Sequence, residues 1–211
     1  LILSSVGRLI TGVVTDVRIK LEILHMLRRG KELEMTTSSH IGRSIEIARD
    51  HLAAHPEAAR YTDLAASAVV EDGLRCRVDG AAGETIHTDM TAAVGGGSSA
   101  PSPGWLTRAG HASCEATLIS MRAAELGVRL QRVEVLVDSE SDARGILAVD
   151  DDVPPGPLTS RVRVRITAHG VEPRLLQELV EWADRYSPIS DMVRRAVPVS
   201  VEVESVAGAL P

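Results

Sequence analysis

The chain has 211 residues and a mass of 22.5 kDa, with 44% hydrophobic and 25% charged residues. That is enough apolar material for one cored domain with an appendage, and it excludes a compositionally disordered chain. The net charge of -6, from 23 basic and 29 acidic residues, gives no general attraction to nucleic acid, and no apolar run reaches the length of a membrane span.

Aromatic residues make up only 2%, with no Phe, so packing must rest on Leu, Ile, Val, Ala and Met. The two cysteines, Cys76 and Cys114, are too few for a secreted disulfide scaffold. They point to free thiols in a reducing, cytoplasmic compartment.

Residues 1–34 stand apart as an N-terminal extension. Two readings of it stay open: a segment outside the fold, or a strand and helix covering a partner surface. It lacks a basic stretch followed by a clean apolar run and a cleavage site, so it is not read as a signal peptide. Residues 35–60 form a helical segment. Ile41, Ile45, Ala48 and Leu52 recur at helical spacing, Ser39 is placed to cap the start, and Pro56 interrupts the helix. Residues 61–211 form the main domain.

Strands come next. Asp72-Gly73 marks a hairpin turn, with Leu74, Cys76 and Val78 on one face and Arg75 and Arg77 on the other. A turn at 80–83 leads into ETIHTDMT, which completes an antiparallel meander. GGGSSAPSPG is a loop. Ser102-Pro103 then opens a helix that closes at Gly127. Its Ala, Ser, Thr and Gly content suits a buried helix approached closely by other backbone, and Gly110 is expected to be a tight position.

RVEVLVDSESD and SRVRVRITAHG read as strands, the second alternating Val162, Val164 and Ile166 with Arg161, Arg163 and Arg165. In an acidic chain that arginine row reads as a solvated sheet face. Pro173 opens another helix, Ser187-Pro188 a short one, and VPVSVEVESV reads as a closing strand. Alternating faces predict an α+β fold with antiparallel sheet, not a doubly wound parallel one.

Cys114 is the candidate reactive residue. His111 lies three residues earlier, on roughly the same helix face. Arg108 lies farther round the helix. Two readings remain for Cys114, a reactive thiol or a packed one. Cys76 reads as a packed thiol, or as a partner that closes a disulfide with Cys114. Asp184, Ser187 and Ser190 are suited to polar contacts. His87, His111 and His169 do not form a recognised ligand set, so no metal and no cofactor are expected.

At GLRCRV with TDM, at APSPGWLTRAGHASCEATLISMRAAELGV and at RYSPISDMVRRAVPVSVEVE, the chain resembles the OsmC/Ohr-like family, whose members include organic hydroperoxide reductases. The resemblance runs from about Tyr61 to Val206. It implies an intertwined homodimer in which antiparallel sheets wrap central helices, with sites near the subunit interface. It also implies that Cys114 attacks a peroxide and becomes a sulfenic acid.

The family's second cysteine falls at Ser187, which cannot resolve that sulfenic acid as a disulfide. The family glutamate after the helix-starting proline falls at Gly104. Arg75, Arg77 and Arg108 are candidates for the arginine beside the thiol. The resemblance thus implies a thiol protein of oxidative-stress defence that reduces organic or small hydroperoxides and draws on an external thiol reductant or on Cys76. The alternative is a non-catalytic dimeric member that binds a small apolar ligand or serves a structural role.

Overall fold

The computed structural model describes residues 37–204. The extension 1–34 and the first residues of the helical segment lie outside that range. The described residues divide into two compact units, 37–65 with 121–129, and 66–120 with 130–204.

In the first unit, helix α1 spans Thr37–Ala54. A 3-10 turn, Pro56–Ala59, follows it, because a proline cannot donate to the helix and clashes with the preceding turn. Helix α2 spans Pro103–Glu125, and its last turn belongs to this unit. Gly127 ends it at φ +66°, with the Val128 amide donating to the Ala123 carbonyl and the Gly127 amide to that of Ala124. A side chain on Gly42 of α1 would bring its β-carbon within 2.6 Å of the Ala124 carbonyl oxygen, so two backbones meet there. Arg49 forms an ion pair with Glu125 beside them.

In the second unit, β1 (Ala66–Asp72), β2 (Arg75–Gly80) and β3 (Thr85–Thr88) make the expected antiparallel meander. Gly73 takes φ +55° in the hairpin turn. The register sets Val70 opposite Cys76 and Val78 opposite both Ala68 and Ile86, so these residues share one apolar face. Strands β4 (Leu130–Glu140) and β5 (Thr159–Ala168) form a separate antiparallel pair. There Val133, Val135 and Val137 face Ile166, Val164 and Val162. The arginine row is a solvated face: Arg161 and Arg163 bond to Asp138 at 3.2 and 2.6 Å, and Arg165 to Glu134 at 3.3 Å.

A single helical turn, α3 (Ala143–Ile146), lies between these strands in sequence, and Asp142 caps it. Helix α4 spans Pro173–Tyr186, with Leu179 and Ala183 buried. Helix α5 spans Pro188–Arg195.

Two expectations fail. Residues 197–204 form no strand, since nothing among the described residues pairs with them. Val199, Val201 and Val203 stand more than 80% exposed, so their alternation buries against none of the described residues of the same chain. Gly110 is not a tight position either. Among the described residues a β-carbon there would meet only Ile189 Cδ1 at 3.6 Å, an ordinary contact with the tip of a flexible side chain. No helix among the described residues is long and apolar enough to cross a membrane.

Candidate functional site

Two helix starts build the site. Ser102 caps α2, its hydroxyl oxygen accepting from the Trp105 amide at 3.2 Å, and Pro103 fills the first helical position, where no amide is needed. The helix then carries His111 one turn before the adjacent Cys114 and Glu115. Ser187 caps α5 in the same way, accepting from the Ser190 amide at 3.2 Å, with Pro188 at the first position.

Cys114 Sγ lies 3.3 Å from Ser187 Oγ. Ser187 is fully buried and Cys114 half-buried. The Ser187 oxygen accepts from the Ser190 amide, and in its contact with Cys114 either the hydroxyl or the thiol can donate.

A second cluster sits beside this pair. Ser190 Oγ donates to Glu115 Oε1 at 2.8 Å and faces His111 Nε2 at 2.9 Å and Asp184 Oδ1 at 3.1 Å. A hydroxyl has a single proton, which goes to one carboxylate at a time, with Glu115 the nearer, and His111 Nε2 shares the same oxygen. Asp184 is served separately by Arg194, whose Nη2 reaches both carboxylate oxygens at 2.7 Å. Glu115 is only 1% exposed, and a carboxyl group that deep needs such hydrogen-bond partners.

The other predicted site residues are placed elsewhere. His111 turns to Ser190, with Glu115 Oε1 at 3.7 Å. Arg75 donates to Ser99 Oγ at 2.7 Å, Arg77 pairs with Glu71 and Asp79 at 3.1 and 2.9 Å, and Arg108 donates to Ser139 Oγ at 3.3 Å. Cys76 sits on β2 between Val70 and Thr88, and both cysteines are free. No group of three or more His, Cys, Asp or Glu side chains able to hold a metal occurs among the described residues.

Sequence reading missed the loop that leads into α2. There Asp89, nearly fully buried, accepts from the Ser99 amide at 2.9 Å and the Ser99 hydroxyl at 2.7 Å, and from the Met90 and Gly97 amides at 2.7 and 3.3 Å. The Ser99 bonds, helped by those two amides and opposed by burial, hold its carboxyl down at about 2. Gly96 is obligatory here, because a β-carbon would lie 2.0 Å from the Met90 carbonyl oxygen. Glu115, buried in the cluster, and Arg194, exposed at its edge, were also missed. The spacing of His111 and Glu115, one helical turn apart, was the available signal for Glu115.

A half-buried cysteine on a helix, faced by the capping serine of a second helix in an antiparallel α+β frame, defines the class of thiol-bearing protein. Residues 95–202, slightly more than half the chain, match the model of the OsmC-like protein family, and the chain belongs to that family. Two solved structures with TM-scores above 0.5 agree on the fold. An OsmC-like protein from Mycoplasma pneumoniae is 12% identical with a TM-score of 0.55, over 64% of this chain and 89% of that one. An OsmC-like protein of unknown function from Vibrio cholerae is 10% identical with a TM-score of 0.53, over 62% of this chain and 93% of that one. An organic hydroperoxide resistance protein from Legionella pneumophila is 21% identical with a TM-score of 0.49, over 64% of this chain and 91% of that one. No curated protein sequence matches the chain.

Proposed function

We propose that the protein reduces organic or small hydroperoxides through Cys114 as part of oxidative-stress defence. The observation that carries this reading is the 3.3 Å approach of Ser187 Oγ to Cys114 Sγ, with the serine held in place by the Ser190 amide. A fixed hydroxyl beside a half-buried sulfur orients it for attack and offers a hydrogen bond to the oxygen that departs.

The sulfur attacks the terminal peroxide oxygen and the O–O bond breaks. The alcohol leaves with a proton, and Cys114 is oxidised to sulfenic acid. Serine at 187 cannot form a disulfide, so an external thiol condenses with the sulfenic acid and releases water. A second thiol then attacks the mixed disulfide, restoring Cys114 and leaving the reductant as its disulfide. Cys76 is the internal alternative to the first of these thiols. A reducing, cytoplasmic setting suits this cycle.

The working form is a homodimer. Val70 and Ile86 on the Cys76 face of the first sheet are exposed, as are Val199, Val201 and Val203. Apolar surface of that extent and alternation supports burial against a second copy.

The test is to mix reduced protein with cumene hydroperoxide and to follow Cys114 by rapid thiol trapping and intact mass, with Cys114→Ser as control. Rapid oxidation that prefers cumene hydroperoxide to hydrogen peroxide is expected, and it should vanish in the variant. A Cys76–Cys114 disulfide product would assign Cys76 as the resolving thiol. Oxidation no faster than that of an ordinary exposed thiol would remove the peroxidase reading.

A further inference from the structure

Two adjacent residues of α2 meet the first turn of α5. Cys114 Sγ lies 3.3 Å from Ser187 Oγ, and Glu115 Oε1 accepts from Ser190 Oγ at 2.8 Å. His111, one turn earlier on α2, brings Nε2 to the same Ser190 oxygen at 2.9 Å. The Ser190 side chain is thus held to α2, while its main-chain amide donates to Ser187 Oγ at 3.2 Å. Glu115, Ser187 and Ser190 are each no more than 2% exposed, so bulk water does not compete for these bonds.

The consequence for the sulfur is geometric. The nucleophilic form of a cysteine is the thiolate, which can only accept a hydrogen bond, so the Ser187 hydroxyl is then the donor. That donor comes from a second helix, and its distance from the sulfur depends on where the start of α5 rests against α2. A displacement of about 1 Å is enough to lose such an alignment. Packing alone fixes it loosely: Ile189 Cδ1 would lie 3.6 Å from a β-carbon at Gly110, an ordinary contact of a flexible tip. The Ser190 bonds to Glu115 and His111 are directional, and they act one turn from the cap itself.

We propose that Ser190 is a positioning residue for the Cys114 reaction: its side chain, anchored on Glu115 and His111, fixes the start of α5 so that the Ser187 hydroxyl stays on the sulfur. The inference rests on the reading of Cys114 as the reactive thiol. Ser190 acts on the sulfur through Ser187, by way of its amide. Asp184 Oδ1 also lies 3.1 Å from Ser190 Oγ, and Arg194 of α5 holds that carboxylate through both oxygens. Those bonds join α5 to α4, and the contacts with Glu115 and His111 are the ones that set its distance from α2.

The experiment is a double-variant cycle on the full chain. Cys114 oxidation by cumene hydroperoxide and, separately, its alkylation by iodoacetamide are followed at neutral pH by quenching and peptide mass mapping, with urea denaturation of every variant alongside. Ser190→Ala should slow both reactions by up to about tenfold, as Ser187→Ala does, because both lose the same hydrogen bond to the sulfur. In the Ser187→Ala background, Ser190→Ala should change the rates by less than about twofold while its loss of stability persists. A merely structural serine would slow the native and the Ser187→Ala chains alike. Glu115→Gln keeps a carbonyl acceptor for Ser190 and should react at the native rate. Glu115→Ala, with His111 left as the α2 partner, should fall between the native chain and Ser190→Ala, and this pair decides the matter if Ser190→Ala does not fold. The alkylation arm keeps the two readings apart. A native chain that meets hydroperoxide no faster than an ordinary thiol would remove the peroxidase reading, and the cycle would still report on Ser190. An unchanged rate in folded Ser190→Ala, equal slowing in both backgrounds, or equal rates in Glu115→Gln and Glu115→Ala would each overturn the proposal.

Discussion

The Cys114 sulfur and the Ser187 hydroxyl oxygen lie 3.3 Å apart, although 73 residues separate them in sequence. The contact exists because Cys114 sits in the interior of α2 and Ser187 is the cap of α5. A cap has a fixed rotamer, since its oxygen must reach the third amide of its helix. Ser187→Ala should therefore leave the fold in place and slow peroxide oxidation of Cys114 by about tenfold, the contribution of one hydrogen bond to a charged group. Ser187→Cys should place a second thiol beside the first. On oxidation it should form a disulfide with Cys114 that intact mass and peptide mapping detect, whereas a stable sulfenic acid in that variant would show that the two side chains cannot meet.

Ser190 holds the neighbouring cluster together. Ser190→Ala removes the proton donor to Glu115 Oε1 and the oxygen that faces His111. A buried carboxyl group left without its hydrogen-bond partner costs roughly 1–3 kcal/mol. Urea denaturation should show a loss of that size. Glu115→Gln should cost less, and the double variant less than the two single ones added, because the members share one network. Strict additivity would show that the Ser190 and Glu115 side chains are not energetically coupled.

Part of this arrangement was legible from residue order alone. Ser102-Pro103 and Ser187-Pro188 announced two helix starts, and Gly127 a helix end, because capping chemistry is local and each signal lies within a few residues of its effect. The alternation around Val164 gave β5 and its solvated arginine face for the same reason. Long-range partners were not legible. Nothing near Cys114 in sequence indicates Ser187 as its neighbour, and nothing near Arg75 indicates Ser99. The final valines were read as a closing strand, which the described residues do not form, because alternation reports which side is apolar and not whether a partner strand is present.

Asp89 gives the loop before α2 a specific acid dependence. Its carboxyl is held at about 2 in the folded chain against an ordinary 3.8, chiefly by the Ser99 amide and hydroxyl. A depressed folded value means that the contribution is complete above 3.8 and is lost as the pH falls toward 2. Thermal melts of the native chain should decline through that window. Asp89→Asn should melt lower at neutral pH, since its amide group turns a donor toward groups that already donate. It should also show a shallower decline on acidification, and an equally steep decline in the variant would assign the acid sensitivity to other carboxylates.

Two glycines that look alike in sequence should respond in opposite directions. At Gly110 a β-carbon meets, among the described residues, only Ile189 Cδ1 at 3.6 Å, so Gly110→Ala should be tolerated and should stabilise α2 by up to about 1 kcal/mol through helix propensity. At Gly42 the β-carbon would fall 2.6 Å from the Ala124 carbonyl oxygen, and main chain cannot swing aside as a side-chain tip can. Gly42→Ala should therefore cost about 1–3 kcal/mol, the usual penalty of overpacking, despite the same gain in propensity. Paired melting curves decide between propensity and sterics. If both variants gained stability, α1 would not rest against the end of α2 as closely as the backbone positions require. If both lost it, the space at Gly110 would be filled by something beyond Ile189, which a second copy of the chain could supply.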